Sequence, residues 1–337
     1  MGRNDLNQHT VWQHVYPLES LLSGIALTLI ASALFTGAAE RFGERAELGS
    51  SFLGSVFSPL FTSAPELIVL LVSVLMYGGR GGMEIGTGTV LGEPFTISTL
   101  AVPALMLSAV LGSMLGRRRP RMEVDRELAL PYATFAALYP LVILPAVLRE
   151  SRIPVATALI LAYAVYAIAM YRSREGGSLV EAEGPTTLER LLGEAGVAFQ
   201  LAISVPLLLV GSYLMVGSAS ELSAELGIPA LSLSIVLVPL ATALPETAAS
   251  LIWAYRGRDT LALGALVGEM VMFSTVYPAL GMVLTDWRLN AAAIASVAMT
   301  ELASMATLWQ VRSGRLSPIA ISGIAIYAAY ALVIHVL

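Results

Sequence analysis

Cysteine and lysine are both absent from this chain of 337 residues. Without cysteine there is neither a disulfide nor a thiolate metal centre, and the redox compartment is left open. Charge of either sign is scarce: 13% of residues are charged and 56% hydrophobic, with a mean hydropathy of +0.77, whereas soluble domains carry about 25% charged residues. All 19 basic residues are arginine and the net charge is −5, so nucleic-acid binding has no support. The missing lysine reads as a compositional habit of the source genome. His9, His14 and His335 lie near the termini and form no metal cluster.

What is present is apolar sequence of bilayer length. A helix needs about 20 apolar residues to cross a membrane, and ten such segments begin near residues 17, 50, 86, 128, 153, 195, 229, 261, 288 and 317. No soluble domain of appreciable size remains. The run from Leu21 is signal-like, but its copy in the second half argues that it is retained. The one long polar connection, residues 173–194, contains Gly176-Gly177-Ser178 and Gly184-Pro185 and reads as a cytoplasmic linker between halves 1–172 and 195–337.

The halves echo one another. Pro59-Leu60-Phe61-Thr62-Ser63-Ala64-Pro65-Glu66 and Pro239-Leu240-Ala241-Thr242-Ala243-Leu244-Pro245-Glu246 agree at five of eight positions with a shift of 180. Gly88-Thr89-Val90-Leu91-Gly92-Glu93, followed by Ser98 and Thr99, is answered at a shift of 176 by Gly264-Ala265-Leu266-Val267-Gly268-Glu269, followed by Ser274 and Thr275. The 180 shift also pairs Ser32 with Ser212 and Gly37 with Gly217. Five spans per half is an odd number, so similar halves must be inverted in the membrane, as in many secondary transporters. Fourteen of the nineteen arginines follow the odd-numbered spans; Arg3, Arg80, Arg149, Arg152 and Arg288 lie opposite. The positive-inside rule then places both termini outside a cell membrane.

Carboxylates inside hydrocarbon cost several kcal/mol unless paired or hydrated, and such residues usually serve function. Pro65 and Pro245, read as mid-helix prolines, free the carbonyls of Phe61 and Ala241. Thr62 and Thr242 stand four residues before their glutamates on the same helix face. Each proline-bearing helix therefore offers a carboxylate, a hydroxyl and a backbone oxygen. Gly88-x-x-x-Gly92 and Gly264-x-x-x-Gly268 are small-residue faces that allow close approach, bringing Glu93 and Glu269 toward the kinks. Such hard oxygen donors suit calcium, magnesium or manganese. A divalent ion neutralises two of four charges; sodium, protons or a second metal must balance the rest, which couples their movements.

These residues resemble the α-repeats of the cation/calcium exchanger superfamily, with its pattern Gly-Thr-Ser-x-Pro-Glu in the first helix and Gly-Asn-x-x-Gly-Ser-Asn/Asp in the next. The resemblance covers most of the chain. It implies an all-α membrane protein of ten transmembrane helices in two inverted five-helix repeats, acting as a secondary antiporter and not an enzyme. It carries Glu66 and Glu246 over as central cation ligands, with Thr62, Ser63 and Thr242 beside them. The chain departs where Glu93-Pro94 and Glu269-Met270 replace the serine-amide pair, and where Thr89 and Ala265 replace the asparagine. That departure leaves open the sodium layout and calcium as the transported ion.

Met270 and Met272 flank Glu269, and a thioether there would favour iron(II) or manganese; simple packing is the plainer reading. Ser98, Thr99, Ser274 and Thr275 are secondary candidates, since such hydroxyls often bond back to their own helix. Glu301 has no obvious partner and reads as a helix-pairing residue. No cofactor is expected beyond the transported ions, and no obligate protein partner. A carboxylate-ringed channel and an intramembrane metalloenzyme are the alternatives from other classes; for the enzyme the sequence shows no His-Glu-x-x-His or Gly-x-Gly-Asp.

Overall fold

The computed structural model describes residues 4–45, 58–172 and 187–334. In the first half, α1 (Asn4–Arg45) is followed by α2 (Ser58–Thr62), α3 (Ala64–Leu71) and a π-helical turn Val72–Tyr77. Helix α4 (Gly79–Thr96) runs through a π-turn, Ile97–Ala101, into α5 (Val102–Met114). Strand β1 (Met122–Glu123), α6 (Ala129–Leu138), a 3-10 turn Tyr139–Ile143, α7 (Leu144–Val147) and α8 (Arg152–Arg172) complete it. The second half contains α9 (Thr187–Leu192), α10 (Glu194–Leu226), α11 (Ala230–Thr242) and α12 (Leu244–Tyr255). Then come α13 (Asp259–Phe273), α14 (Val276–Leu284), α15 (Ala291–Arg312), β2 (Arg315–Leu316) and α16 (Gly323–Val333).

Among the described residues seven helices are long and apolar enough to cross a membrane. Ala230–Thr242 and Glu246–Tyr255, bent by 62°, make an eighth, and Ala64–Tyr77 and Pro318–Leu332 are shorter apolar helices. The segment expected from residue 50 begins outside the described residues. The linker at 173–194 also falls largely outside them, and its described end is helical: Arg41 Nε of α1 meets Glu189 Oε2 of α9 at 2.9 Å.

The third segment begins earlier than its hydropathy suggests. Gly79, Gly81 and Gly82 are poor helix formers, yet they form the first turn of α4 after a break at Gly78, whose φ is 58°. Packing overrides propensity here, because a Cβ on Gly82 would stand 2.2 Å from the Ser73 carbonyl oxygen. Downstream, Pro103 has no N–H for the Thr99 carbonyl, which accounts for the wide turn at Ile97–Ala101. The outer face of the bundle exposes Leu75, Val165, Ile319 and Trp309, as lipid contact requires.

Close contacts at small residues join the halves. Helix α1 lies along α10, where a Cβ on Gly24 would reach 2.6 Å from Met215 N and one on Gly211 2.7 Å from Thr28 Oγ1. Helix α4 lies against α11 through Gly88 and Gly92; a Cβ on Gly92 would sit 2.5 Å from the Ile235 carbonyl oxygen.

Arg118, one of the loop arginines that orient the chain in the sequence reading, has a buried side chain that acts as a clamp. Its two Nη atoms donate to Asp259 Oδ1 at 2.6 Å and Oδ2 at 2.8 Å, and it also donates to the carbonyls of Ala254 and Arg121. The β1–β2 pairing, Met122 opposite Leu316, ties the same loop to the end of α15. Replacing Arg118 with alanine leaves Asp259 with a buried charge lacking its ion-pair partner, a change worth about 3–5 kcal/mol. Arg118→Ala is therefore expected to unfold markedly earlier than Arg119→Ala, whose side chain is 88% exposed, in a thermal melt of detergent-solubilised protein.

Candidate functional site

The helices around residues 65 and 245 break where a proline kink was expected. Helices α2 and α11 end at Thr62 and Thr242, and α3 and α12 restart with Pro65 and Pro245 in their first turns. A missing N–H is harmless there, because the first N–H groups of a helix have no intrahelical partner. Proline cannot close on the carbonyl four residues back, so Phe61 and Ala241 lie at the negative ends of α2 and α11 without that bond. Glu66 and Glu246 occupy the first turns of α3 and α12, where the helix dipole favours a carboxylate.

Each half's second helix reaches the other half's break. Helix α4 packs on α11, and α13 on α2. Thr62 Oγ1 consequently donates to Glu269 Oε1 of the second half at 2.8 Å, and not to its own Glu66. Thr242, in turn, stands beside both Glu66 and Glu93 of the first half; its hydroxyl also donates to the Val238 carbonyl at 3.3 Å. The four carboxylates are electrostatic neighbours: Glu93 senses Glu66 and Glu269, and Glu246 senses the other three.

Their surroundings are dry. Glu66 and Glu93 are each 1% exposed and Glu269 4% exposed; Glu246 is part-buried. All four carboxylate oxygens of Glu66 and Glu93 are buried without a hydrogen-bond partner among the described residues. Two unpaired anions beside two further carboxyls cannot persist in such a medium; protons or cations must neutralise them. The four glutamates adjoin without converging: among the described residues no three acidic or imidazole side chains surround one point closely enough to hold a single metal ion. Any one ion must draw on hydroxyls and carbonyls as well, or on a shift of these side chains.

The remaining candidates divide. Ser63 Oγ donates to the Pro59 carbonyl at 2.7 Å, and the Ser63 carbonyl accepts from Tyr277. Ser98 Oγ meets Ser304 Oγ at 2.9 Å. Thr99 bonds back to Phe95, and Ser274 and Thr275 bond back to Val271. Met270 and Met272 pack in the main hydrophobic cluster, the plainer of their two readings.

Two residues near the glutamates were not singled out from sequence. Thr36 of α1 donates to Glu246 Oε1 at 3.4 Å; it directly precedes the repeat-matched Gly37, but its own counterpart is Val216. Tyr277 of α14 is 2% exposed, stacks on Phe273 with ring centroids 4.3 Å apart, and faces Glu66, Glu269 and Glu246. Its counterpart at the 176 shift is Ala101. Both break the repeat, so a search for duplicated residues passes over them; their polarity inside apolar runs is the signal that would have found them.

A family model described as sodium/calcium exchanger protein matches residues 18–172 and 196–336. Similar solved structures include the H+/Ca2+ exchanger CAX, with a TM-score of 0.70 at 16% identity, covering 94% of this chain and 82% of that one. The sodium-calcium exchanger NCX_Mj superposes with a TM-score of 0.58 at 20% identity, covering 94% of this chain and 98% of that one. At these identities the likeness is one of fold. A protein of Alkalimonas amylolytica with the provisional name antiporter CaxA is 32% identical over 93 residues, a stretch of 28% of this chain and 29% of that protein.

Tyr277→Phe keeps the stacked ring and removes one of the two hydrogen bonds to the Ser63 carbonyl, which still accepts from Leu67 N at 3.3 Å. The lost bond is expected to lower stability by about 0.5–1.5 kcal/mol, read as an earlier unfolding transition in detergent than in Tyr213→Phe, where the altered side chain is 44% exposed.

Proposed function

The chain belongs to the sodium/calcium exchanger family, and from that premise we propose that it is a secondary antiporter exchanging a divalent cation, calcium first, for sodium or protons. The observation that carries the reading is the pair of buried carboxylates Glu66 and Glu93, without a hydrogen-bond partner among the described residues and set against Glu246 and Glu269 where two broken helices meet. Such a site is stable only when neutralised. A cation arriving from one side must displace sodium or protons, and an empty, fully charged cavity cannot reorient through the bilayer. Obligatory exchange by alternating access follows from that electrostatic restriction.

In this reading Glu66 and Glu246 are the central ligands, one from each half, with the carbonyls of Phe61 and Ala241 and the hydroxyls of Thr62 and Thr242 completing an oxygen shell of the kind calcium takes. Ser63 contributes only if the bonds to Pro59 and Tyr277 are released. Glu93 and Glu269 supply the charge that sodium or protons balance when the divalent ion leaves. Ser98, Thr99, Ser274, Thr275 and Met270 are outside this set. No cofactor takes part, and the bound species are cargo. Glutamate at 93 and 269, where the family pattern has serine, favours a second reading with magnesium, manganese or iron(II) as cargo. The additional carboxylates raise the site's charge, and all three metals accept oxygen ligands.

The proposed membrane topology is ten passages as two inverted groups of five, split by the linker, with both termini outside the cell membrane. Contacts support it: the loop after α5 is bound to the start of α13 and to β2, and the end of α1 to α9. These are the segments that an inverted repeat puts on one face.

In proteoliposomes supplied in turn with calcium, magnesium, manganese and iron(II), gradient-driven uptake of one metal is expected and should be lost in Glu66→Gln. Flux of no metal under any sodium or proton gradient would sink the antiporter reading. Thr62→Val, which removes the hydroxyl from Glu269, is expected to weaken metal affinity by about 10- to 100-fold, measured as the concentration giving half-maximal uptake.

A further inference from the structure

Glu301 lies at the centre of α15, a span of 22 residues, and pairs with no basic side chain among the described residues. Its Oε2 is buried without a hydrogen bond among the described residues. The side chain sits on the border between the exposed stripe Leu302, Met305 and Trp309 and the buried stripe Thr300, Ser304 and Thr307. A carboxyl in that position costs several kcal/mol when ionised.

Glu301 is joined to the glutamate site by a polar seam. Ser304, one turn along the same face, meets Ser98 Oγ at 2.9 Å, five residues after Glu93 on the continuing helix. Thr96, one turn after Glu93, has a buried hydroxyl without a partner among the described residues. Tyr139 adjoins Glu301 and donates to the Leu91 carbonyl at 3.4 Å, two residues before Glu93. Around these groups the packing is apolar, with Phe95 and Ile97 fully buried.

We propose that Glu301 is a second protonation site, which loads and unloads a proton and passes it by way of Ser304 and Ser98 toward Glu93. A hydroxyl both donates and accepts, so each can take a proton on one side and release one on the other; no other bond is made or broken. The proposal rests on the antiport reading and selects protons as the counter-ion. The titratable groups on elements packed against α15 are Tyr139, Tyr132 on α6, Tyr327 and Tyr330 on α16, and Arg80, Glu84 and Glu93 on α4. Arg126, Glu127 and Arg315 are confined to the end of the helix, away from its centre.

The test uses the full chain in proteoliposomes, with proton flux read by a lumenal pH dye and metal flux measured at clamped pH. Glu301→Gln is expected to slow metal-driven proton flux about 100-fold and to flatten its pH dependence, while equilibrium metal binding, lost in Glu66→Gln, is kept; Glu301→Asp should restore the flux. Dicyclohexylcarbodiimide, which attacks protonated carboxyls from lipid, is expected to modify Glu301, read by peptide mass spectrometry, and to stop proton flux. Wild-type flux and pH profile in Glu301→Gln overturn the proposal. So does failure of the reagent to label Glu301, a result available even where the glutamine variant does not fold. Metal exchange against sodium with no proton movement removes this role and leaves the antiporter intact, whereas no metal flux at all removes both.

Discussion

Negative charge without a partner, held where water does not reach, is the constraint on which the centre of this protein depends. Glu66 and Glu93 have no hydrogen-bond partner among the described residues, and Glu269 and Glu246 adjoin them. Among the described residues no cationic side chain offsets the charge of Glu66 and Glu93. The offset has to come from cations or protons, which is the electrostatic basis of the exchange proposed above.

The backbone prepares that site through its interruptions. Ending α2 and α11 and restarting α3 and α12 places carbonyl ends and amide ends of four short helices around the carboxylates. Irregular backbone of this kind survives at membrane depth only inside protein, and the crossed packing of α4 on α11 and of α13 on α2 supplies the cover. The same crossing makes the site a joint property of both halves. The Thr62–Glu269 contact is where the two halves meet at the carboxylates.

Several of these features were legible in the chain itself. The duplicated Pro-Glu and Gly-x-x-x-Gly-Glu motifs identified the four glutamates as neighbours, and their electrostatic contact agrees. The glycines at 88 and 92 pointed to close helix approach, which the Ile235 and Ser234 contacts show. Other features were misread for stated physical reasons. Proline at 65 and 245 suggested kinks, but a residue without an N–H fits a helix start better than a helix middle. Thr36 and Tyr277 were passed over because neither is duplicated.

The sequence by itself determined the membrane character, the two-fold repetition and the identity of the acidic residues, because hydropathy and self-similarity are properties of order along the chain. Only the tertiary structure decided which threonine serves which glutamate, that Tyr277 donates to the Ser63 carbonyl, and that Glu301 Oε2 is buried without a hydrogen bond among the described residues. Partnership is set by which faces meet across more than 200 residues of separation, and that depends on packing in three dimensions, which no local pattern specifies.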